Sequence, residues 1–139
     1  MRASRRLFRR QIASLQDVFE MIEDFLCTQD VNERSTYRLS LVVEELFTNM
    51  VRHNPDGADE ISVLLEGIDG QVRVELADRD AAPFDPDDAP EVPVTAGIRE
   101  RKAGGLGLHL VRSMVDDLSY DYDDVKRLMR VSLTMSLEH

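Results

Sequence analysis

The feature that most constrains the fold is a pair of segments whose side chains alternate between apolar and polar. Residues 61–66 and 71–77 both show this period of two, which is typical of β-strands with one buried face. Ile68, Asp69 and Gly70 between them suit a tight turn, because Asp and Gly adopt turn conformations readily. The two segments predict a β-hairpin, one face of which must pack against a core.

Helical and extended patterns surround this hairpin. Apolar spacing predicts a helix that begins near Ser14, a second that follows Asn32 and stops before Asn54, and a third over 106–118. Further strands are predicted at 7–12, 119–122 and 128–135. The order β-α-α-β-β-loop-α-β-β predicts an α+β two-layer sandwich, in which a mixed, mostly antiparallel sheet carries helices on one face.

The first helix carries two further predictions. Ser14 is followed by Asp17 three residues later, which resembles a capping box at a helix start. Cys27 is the single cysteine and cannot form an internal disulfide. Because it follows Phe25 and Leu26 in the helical pattern, it is predicted to be buried as a small apolar residue.

Charge limits the classes of partner. The chain has 17 basic and 27 acidic residues and a net charge of -10, which argues against a nucleic acid or an anionic membrane as the main partner. The first ten residues are nevertheless basic, and two interpretations stay open: a solvated edge strand protected by its charges, or a surface that holds an acidic partner. The arginines in question are Arg2, Arg5, Arg6, Arg9 and Arg10.

Length and hydropathy define the kind of molecule. A chain of 139 residues suits a single domain over residues 1–136, and residues 137–139 resemble the remnant of a tag. No apolar run approaches the ~18 residues of a membrane span, so we expect a cytoplasmic protein with no membrane partner. Residues 81–103 contain all but one of the 5 prolines and predict a long functional loop.

Polar side chains on one flank of the second helix form the first candidate site. Glu45 and Asn49 are four residues apart and project together beside the apolar stripe, with Arg52 and His53 close by. A carboxamide oxygen suits a Mg²⁺ that keeps its waters and bridges phosphates, and a carboxylate can deprotonate a nucleophile. The alternative is a solvated helix face on which Glu45 pairs with Arg52 or Arg38.

Two further patterns follow the hairpin. The inward positions of its second strand continue to Asp78, which is therefore predicted on the core side, where it needs donors such as an adenine amino group. The alternative is an acid that caps the chain reversal. The sequence Gly104-Gly105-Leu106-Gly107-Leu108 opens the third helix. Such a turn can bring backbone N–H groups close to a phosphate, or it can simply connect the loop to the helix without a binding role.

The order of these patterns resembles the histidine-kinase-like ATPase fold: a helix with Glu-x-x-x-Asn, a strand-end Asp, a long loop and a Gly-Gly-Leu-Gly helix start. The resemblance covers nearly the whole chain and is strongest to bacterial anti-sigma factor serine/threonine kinases of the RsbW and SpoIIAB type. The phrase Pro83-Phe84-Asp85-Pro86 and the run from Gly104 to Arg112 are particularly like that family. The first glycine box departs from the family, because residues 78–82 contain no glycine.

The resemblance implies a role for each matching residue. Glu45 takes the position of the general base and Asn49 that of the Mg²⁺ ligand. Arg52 and His53 lie near the phosphates, or His53 is a helix-end cation. Asp78 takes the position that contacts the adenine amino group, and Asp80 is the alternative. An ungapped alignment would instead place Arg79 at this position. Residues 81–103 take the place of the ATP lid, and the rest of the nucleotide pocket is implied at Ala82, Phe84, Gly104, Gly105, Leu106, Gly107 and Leu108.

The resemblance also implies a function. It predicts a cytoplasmic bacterial regulator that binds ATP and Mg²⁺, sequesters a sigma factor and phosphorylates a serine of a STAS-type anti-anti-sigma protein. A homodimer is usual in that family. The alternative is a partner-binding adaptor without transfer chemistry, either nucleotide-responsive or nucleotide-free, which the altered first glycine box favours. Glu45 and Asn49 favour the kinase.

Overall fold

The computed structural model describes residues 2–27, 29–54, 58–79 and 105–138, and the side chains of all of these except 105–109. The helices are α1 (Leu15–Leu26), α2 (Glu33–His53) and α3 (Gly105–Met114), and a short 3-10 turn at Ile12–Ser14 precedes α1. The strands are β1 (Arg2–Arg9), β2 (Glu60–Ile68), β3 (Gln71–Arg79), β4 (Asp117–Asp123) and β5 (Leu128–Ser136). The predicted order of elements is confirmed.

The strands form one sheet in the order β1-β2-β3-β5-β4, and every described pairing is antiparallel. Buried side chains alternate with more exposed ones along the three inner strands, so that one face of the sheet is apolar and packs under the helices. The residues of that face are Ile61, Val63, Leu65, Val72, Val74, Leu76, Met129, Val131, Leu133 and Met135. The α+β sandwich is confirmed, with a sheet that is antiparallel throughout the described residues rather than mixed.

The β2–β3 hairpin closes through Asp69 and Gly70, whose φ angles are 45° and 82°. Two consecutive residues with positive φ are typical of a type I′ turn, whose twist matches that of the paired strands. The register that this turn sets places Ile61 opposite Asp78. The last core-side position of β3 is therefore an acid rather than an apolar residue.

The two long helices begin in different ways. Asn32 caps α2, because its Oδ1 accepts a hydrogen bond from the Ser35 N–H at 2.9 Å. The predicted cap at Ser14 is wrong: this residue already has helical φ and ψ angles, and its hydroxyl donates to the Arg9 carbonyl at 2.8 Å. The 3-10 turn brings Ser14 into the helical path, so its side chain bonds back to the end of β1.

Two boundaries and one burial prediction differ from the structure. β1 begins at Arg2 rather than at Leu7, because it pairs with β2 along its whole length. α3 ends at Met114, and Leu118 lies in β4. The predicted burial of Cys27 is wrong: this cysteine is exposed, because it is the C-cap of α1 and follows the last buried residue of that helix.

The end of β1 is tied to the core. Phe8 is buried, and its ring meets that of Phe47 edge to face, with the centroids 6.4 Å apart. The side chain of Arg10, two residues further on, is only 5% exposed. β1 lies at the edge of the sheet as predicted, but the interpretation of Arg10 as part of a solvated stretch is wrong.

Residues near the C-terminus belong to the packed structure. Leu137 is buried, and its N–H donates to the Gly70 carbonyl at 2.9 Å. The Glu138 N–H donates to Ser35 Oγ at 2.8 Å, and the Glu138 carbonyl accepts from the Asn32 N–H at 2.8 Å. Of these two residues, which resemble a tag remnant in sequence, Leu137 therefore contacts the β2–β3 turn and Glu138 contacts the start of α2.

The sequence predicts no membrane-spanning helix. Within the described ranges, no helix has both the length and the apolar character that crossing a bilayer requires.

Candidate active site

Helix α2 carries polar side chains beside its apolar stripe, and we call this row the polar edge: Glu45, Asn49, Arg52 and His53. Asn49 is buried, with 5% exposure, and its Nδ2 atom has no hydrogen-bond partner among the described residues. Glu45, one helical turn earlier, is partly buried. Most buried polar atoms in proteins are hydrogen-bonded, and one that is not costs free energy. The buried amide of Asn49 is therefore a candidate for contact with a ligand.

The electrostatic surroundings of Glu45 are unusual for a helix surface. Burial raises the pKa of Glu45 above the ordinary value of 4.5, the charge of Glu44 raises it further, and Arg52 acts in the opposite direction. A carboxylate whose pKa is raised by burial is typical of general bases. The alternative pairing with Arg38 is not observed, since Arg38 donates instead to the Met114 carbonyl at 3.3 Å.

Arg52 and His53 end the same helix. Burial lowers the pKa of His53 below 6.5, and the neighbouring charge of Arg52 lowers it further. Both effects favour the neutral imidazole. Arg52 supplies the positive charge at this helix end, where it interacts favourably with the helix dipole.

Asp78 lies at the core-side end of β3 and is buried, with 2% exposure. Arg10 donates to both of its oxygens, from Nη1 to Oδ2 at 3.2 Å and from Nη2 to Oδ1. Asn54, directly after α2, donates from Nδ2 to Oδ2 at 3.2 Å. The predicted burial of Asp78 is confirmed, and because this residue lies within β3 and its described hydrogen bonds come from side chains, the alternative of an acid that caps the chain reversal is not observed.

The guanidinium of Arg10 joins three parts of the chain. It also donates from Nε to the Ala58 carbonyl at 2.7 Å and from Nη1 to the Met50 carbonyl at 3.2 Å. Met50 directly follows Asn49, so Arg10 links the polar edge of α2 to the end of β3. The structure thus brings Asn49 and Asp78, which are far apart in sequence, to the same end of the sheet.

The glycine-rich turn is described in part. Gly105, Leu106, Gly107 and Leu108 form the first turn of α3, close to the predicted helix start. The backbone N–H groups of this turn therefore stand at the positive end of a helix dipole. The whole of the predicted 81–103 loop lies outside the described residues, and so do four predicted site residues: Asp80, Ala82, Phe84 and Gly104.

A groove of about 890 Å³ lies elsewhere, between α1 and α2. Its lining combines apolar residues such as Phe19 and Tyr37 with several acids, one of which is Glu44. None of the predicted site residues lines it. The groove and the polar edge are therefore separate features, and Glu44 is adjacent to both.

Comparison with known proteins identifies the family of this chain. Residues 8–135 match the histidine kinase-like ATPase domain. This chain belongs to the histidine kinase-like ATPase domain family. The serine/threonine-protein kinase BtrW of Bordetella bronchiseptica is 28% identical over 110 residues, which cover 78% of this chain and 77% of BtrW.

Solved structures agree with the histidine kinase-like fold. The RsbU and RsbW domains of Rv1364c from Mycobacterium tuberculosis align with a TM-score of 0.70 and 16% identity, over 99% of this chain and 33% of that one. This chain therefore spans about a third of that protein. The SiaB-SiaC complex from Pseudomonas aeruginosa aligns with a TM-score of 0.61 and 13% identity, over 95% of this chain and 88% of that one. At such identities the likeness concerns the fold.

The family implies the use of ATP with a metal ion, and Asn49 fits the metal-binding role. The atom of its amide that has no partner in the described protein is Nδ2, a donor that suits an acceptor on a ligand, whereas Oδ1 is the atom that could bind a metal ion. Across the described ranges, no group of three or more His, Cys, Asp or Glu could hold a metal by itself. A metal ion in this histidine kinase-like site would be held by Asn49 Oδ1 and would neutralise charge on the phosphates.

Sequence reasoning missed Arg10 and Asn54 as members of the site. Nothing in the pattern distinguishes Arg10 from the other arginines of the first ten residues. Asn54 has the ordinary signature of a helix end. The signal that points to both is indirect: a buried acid at position 78 requires donors, and they must come from the elements that surround β3.

Proposed function

We propose that this protein is a kinase that transfers the γ-phosphoryl group of ATP to a serine or threonine of a STAS-type anti-anti-sigma partner, and that it holds a sigma factor when that partner is phosphorylated. The observation that carries the proposal is the polar edge of α2, where a carboxylate with a raised pKa, Glu45, lies one turn from the unpartnered buried amide of Asn49. Family membership and the kinase BtrW support the same reaction class.

Phosphoryl transfer depends mainly on positioning and charge neutralisation. Asn49 Oδ1 would bind the Mg²⁺, which when bound neutralises charge on the phosphates. The first turn of α3 would donate backbone N–H groups to them. Arg38, near the start of α2, donates to the Met114 carbonyl at the end of α3, so the two helices that carry these groups pack against each other.

Glu45 would accept the proton of the reaction. The hydroxyl oxygen of the partner bonds to the γ-phosphorus, its proton passes to the Glu45 carboxylate, and the bond to the bridging oxygen breaks to release ADP. Because the pKa of Glu45 is raised, this carboxylate binds the proton more strongly than an ordinary glutamate does. The partner must therefore present its hydroxyl to the flank of α2.

Label transfer tests the kinase directly. The protein is incubated with Mg²⁺, γ-labelled ATP and a candidate STAS protein, and the label on the candidate is measured. Glu45→Gln should slow transfer about 100-fold or more while calorimetry shows unchanged ATP binding. Glu20→Gln, on the exposed surface of α1, serves as the matched control. Transfer by Glu45→Gln at the rate of the control would remove Glu45 from the role of base.

A partner-binding adaptor without transfer chemistry is the second candidate. The observation that favours it is that the Asp78 carboxylate already accepts hydrogen bonds from Arg10 and Asn54. Calorimetric titration with ATP separates the two functions. Mg²⁺-dependent binding that Asn49→Ala loses supports the ATP site, and no binding at about millimolar ATP supports a nucleotide-free adaptor.

The setting of this activity is part of the same proposal. Residues 1–136 act as one cytoplasmic domain that forms a homodimer and binds protein partners rather than nucleic acid or membrane. The acidic net charge of -10 supports the exclusion of nucleic acid. Sedimentation of the purified protein would test the homodimer.

A further inference from the structure

The groove between α1 and α2 has the length of a short helix. Its volume is about 890 Å³, and its lining runs from Gln16 to Cys27 on one side and from Glu33 to Glu44 on the other. α1 has 12 residues and is therefore about 18 Å long, or about three helical turns. A groove along a helix pair of this length suits another helix, and helix-in-groove binding is a common mode of protein recognition.

Apolar side chains form part of the lining. Leu26 is buried, Phe19 and Leu41 are partly buried, and Tyr37 is 67% exposed. Tyr37 is more exposed than any other aromatic residue in the described part of the chain. Tyrosine is enriched among the residues that contribute most to binding at protein interfaces. An exposed tyrosine beside partly buried apolar side chains is therefore typical of a protein-binding surface.

The charges around these apolar side chains all have the same sign. Among the described residues that line the groove, none is Lys, Arg or His and four are acids: Glu23, Asp30, Glu33 and Glu44. All but Asp30 form no ion pair with the described residues. Arg38, in the same stretch of α2, instead contacts the Met114 carbonyl and Glu138. The groove therefore favours a cationic occupant.

We infer that this groove binds a basic amphipathic helix of another protein, whose apolar residues at positions i, i+4 and i+7 pack against Phe19, Tyr37 and Leu41 while its Lys and Arg side chains lie beside the acids. The inference goes beyond the proposed function, because the groove contains none of the proposed nucleotide-site residues.

The charges of this chain argue against a second copy as the occupant. Among the described helices, α1 has four acids and no Lys or Arg, α2 has three acids and three arginines, and α3 has a single arginine. None of them is a basic helix of the kind that the groove favours. The net charge of -10 also makes two copies repel each other. The occupant is therefore a different protein.

Synthetic peptides of about 16 residues, long enough to form a helix when bound, test the inference. The first peptide has leucines at helical spacing on one face and lysines on the other. The second has the same composition in an order without an apolar face, and the third has glutamates in place of the lysines. Fluorescence anisotropy should show that the first binds at least about tenfold more tightly than either of the others, and that added salt weakens its binding.

Variants of the protein locate the binding surface. Tyr37→Ala removes the exposed ring and Glu23→Lys reverses one charge, and each should weaken the binding of the first peptide about tenfold. Leu7→Ala and Glu20→Lys are the matched controls, because Leu7 is 61% exposed on β1 and Glu20 is exposed on α1 outside the groove. Both controls should stay within about twofold of the unmodified protein. Circular dichroism establishes that each variant is folded.

Three results would overturn the inference. The first is that the basic amphipathic peptide does not bind, or binds no more tightly than the scrambled one. The second is that Glu20→Lys weakens binding as much as Glu23→Lys does, which would indicate only a general attraction to an acidic protein. The third is self-association, measured by sedimentation, that Tyr37→Ala abolishes, because the occupant would then be a second copy.

The outcome does not depend on the nucleotide site. The peptides are titrated without ATP, and Asn49→Ala should bind the first peptide as tightly as the unmodified protein does. Failure of the proposed phosphoryl transfer would leave the peptide result unchanged. Failure of the peptide to bind would leave the kinase proposal in place.

Discussion

Asp78 is buried and Glu45 is partly buried, and the neighbours of these two acids differ in charge. Asp78 is paired with a guanidinium, whereas Glu45 lies next to a second carboxylate, Glu44. A carboxylate held by a guanidinium is a fixed acceptor, and one that burial and a like charge disfavour takes up a proton readily. These surroundings suit Glu45 to the proposed proton transfer and Asp78 to a fixed contact with Arg10.

The pH dependence of transfer should follow the neighbours of Glu45. A general base works in its ionised form, so the raised pKa places the acid limb of the rate profile above that of an ordinary glutamate. Glu44→Gln removes a charge that raises the pKa and should move the limb to lower pH. Arg52→Gln removes a charge that lowers the pKa and should move it to higher pH.

Transfer rates measured from about pH 5 to about pH 8 test this prediction. Glu33→Gln, an exposed residue in the first turn of α2, controls for the loss of one acidic charge and should leave the profile in place. A limb that moves in the same direction in both Glu44→Gln and Arg52→Gln would contradict the assignment of Glu45 as the titrating base.

Asn49 offers a prediction that separates function from stability. Asn49→Ala should abolish the Mg²⁺-dependent part of ATP binding, measured by calorimetry. It should change the free energy of unfolding in urea by less than about 1 kcal/mol, because the Nδ2 atom that is lost makes no hydrogen bond in the protein. A loss of several kcal/mol would show that the amide stabilises the fold instead.

Individual residues could be predicted where a regular period defines their direction. The alternation of β3 placed Asp78 on the core side, and helical spacing placed Asn49 beside Glu45. Arg10 could not be predicted, because its partner is 68 residues away in sequence and no local pattern connects them. Whether a charged side chain such as Arg10 can be buried depends on an opposite charge that reaches it only in the folded chain.

At the scale of the elements, the N-cap of α2 allows a test of how much Asn32 stabilises this helix. Asn32→Ala removes the hydrogen bond from the Ser35 N–H and should lower the free energy of unfolding by about 1 kcal/mol, measured in urea. Asn32→Ser can still cap the helix and should cost clearly less. Equal losses in the two variants would show that the contact of Asn32 with Glu138, rather than the cap, is responsible.

Element order was predictable, whereas element ends were not. The hairpin and the helices show regular spacing of apolar residues that a short stretch of sequence reveals, and the structure confirms the order of these elements. The start of β1 depends on its pairing with β2, which no local pattern contains. Ser14 has the residue type of a cap but not its backbone conformation, because a 3-10 turn precedes α1.

One buried ion pair, Arg10 with Asp78, connects the end of β1 to β3 and, through the Met50 carbonyl, to α2. Arg10→Met leaves a buried carboxylate without its countercharge and should lower the free energy of unfolding by about 3–5 kcal/mol. Arg10→Met combined with Asp78→Leu removes both charges and should recover much of this loss. Unfolding in urea measures both, and Arg9→Met, at an exposed position, should stay within about 0.5 kcal/mol of the unmodified protein.

The sheet order determines when the two partners of this pair can meet. The β2–β3 hairpin closes through a tight turn and can form within about 1–10 μs, but β1 pairs with β2 only after α1 and α2 have been bridged. During synthesis Arg10 leaves the ribosome long before Asp78 exists. The first strand to be made thus waits for two helices and a hairpin before it can be placed, and a nascent chain stopped short of β3 carries an arginine whose countercharge has not yet been translated.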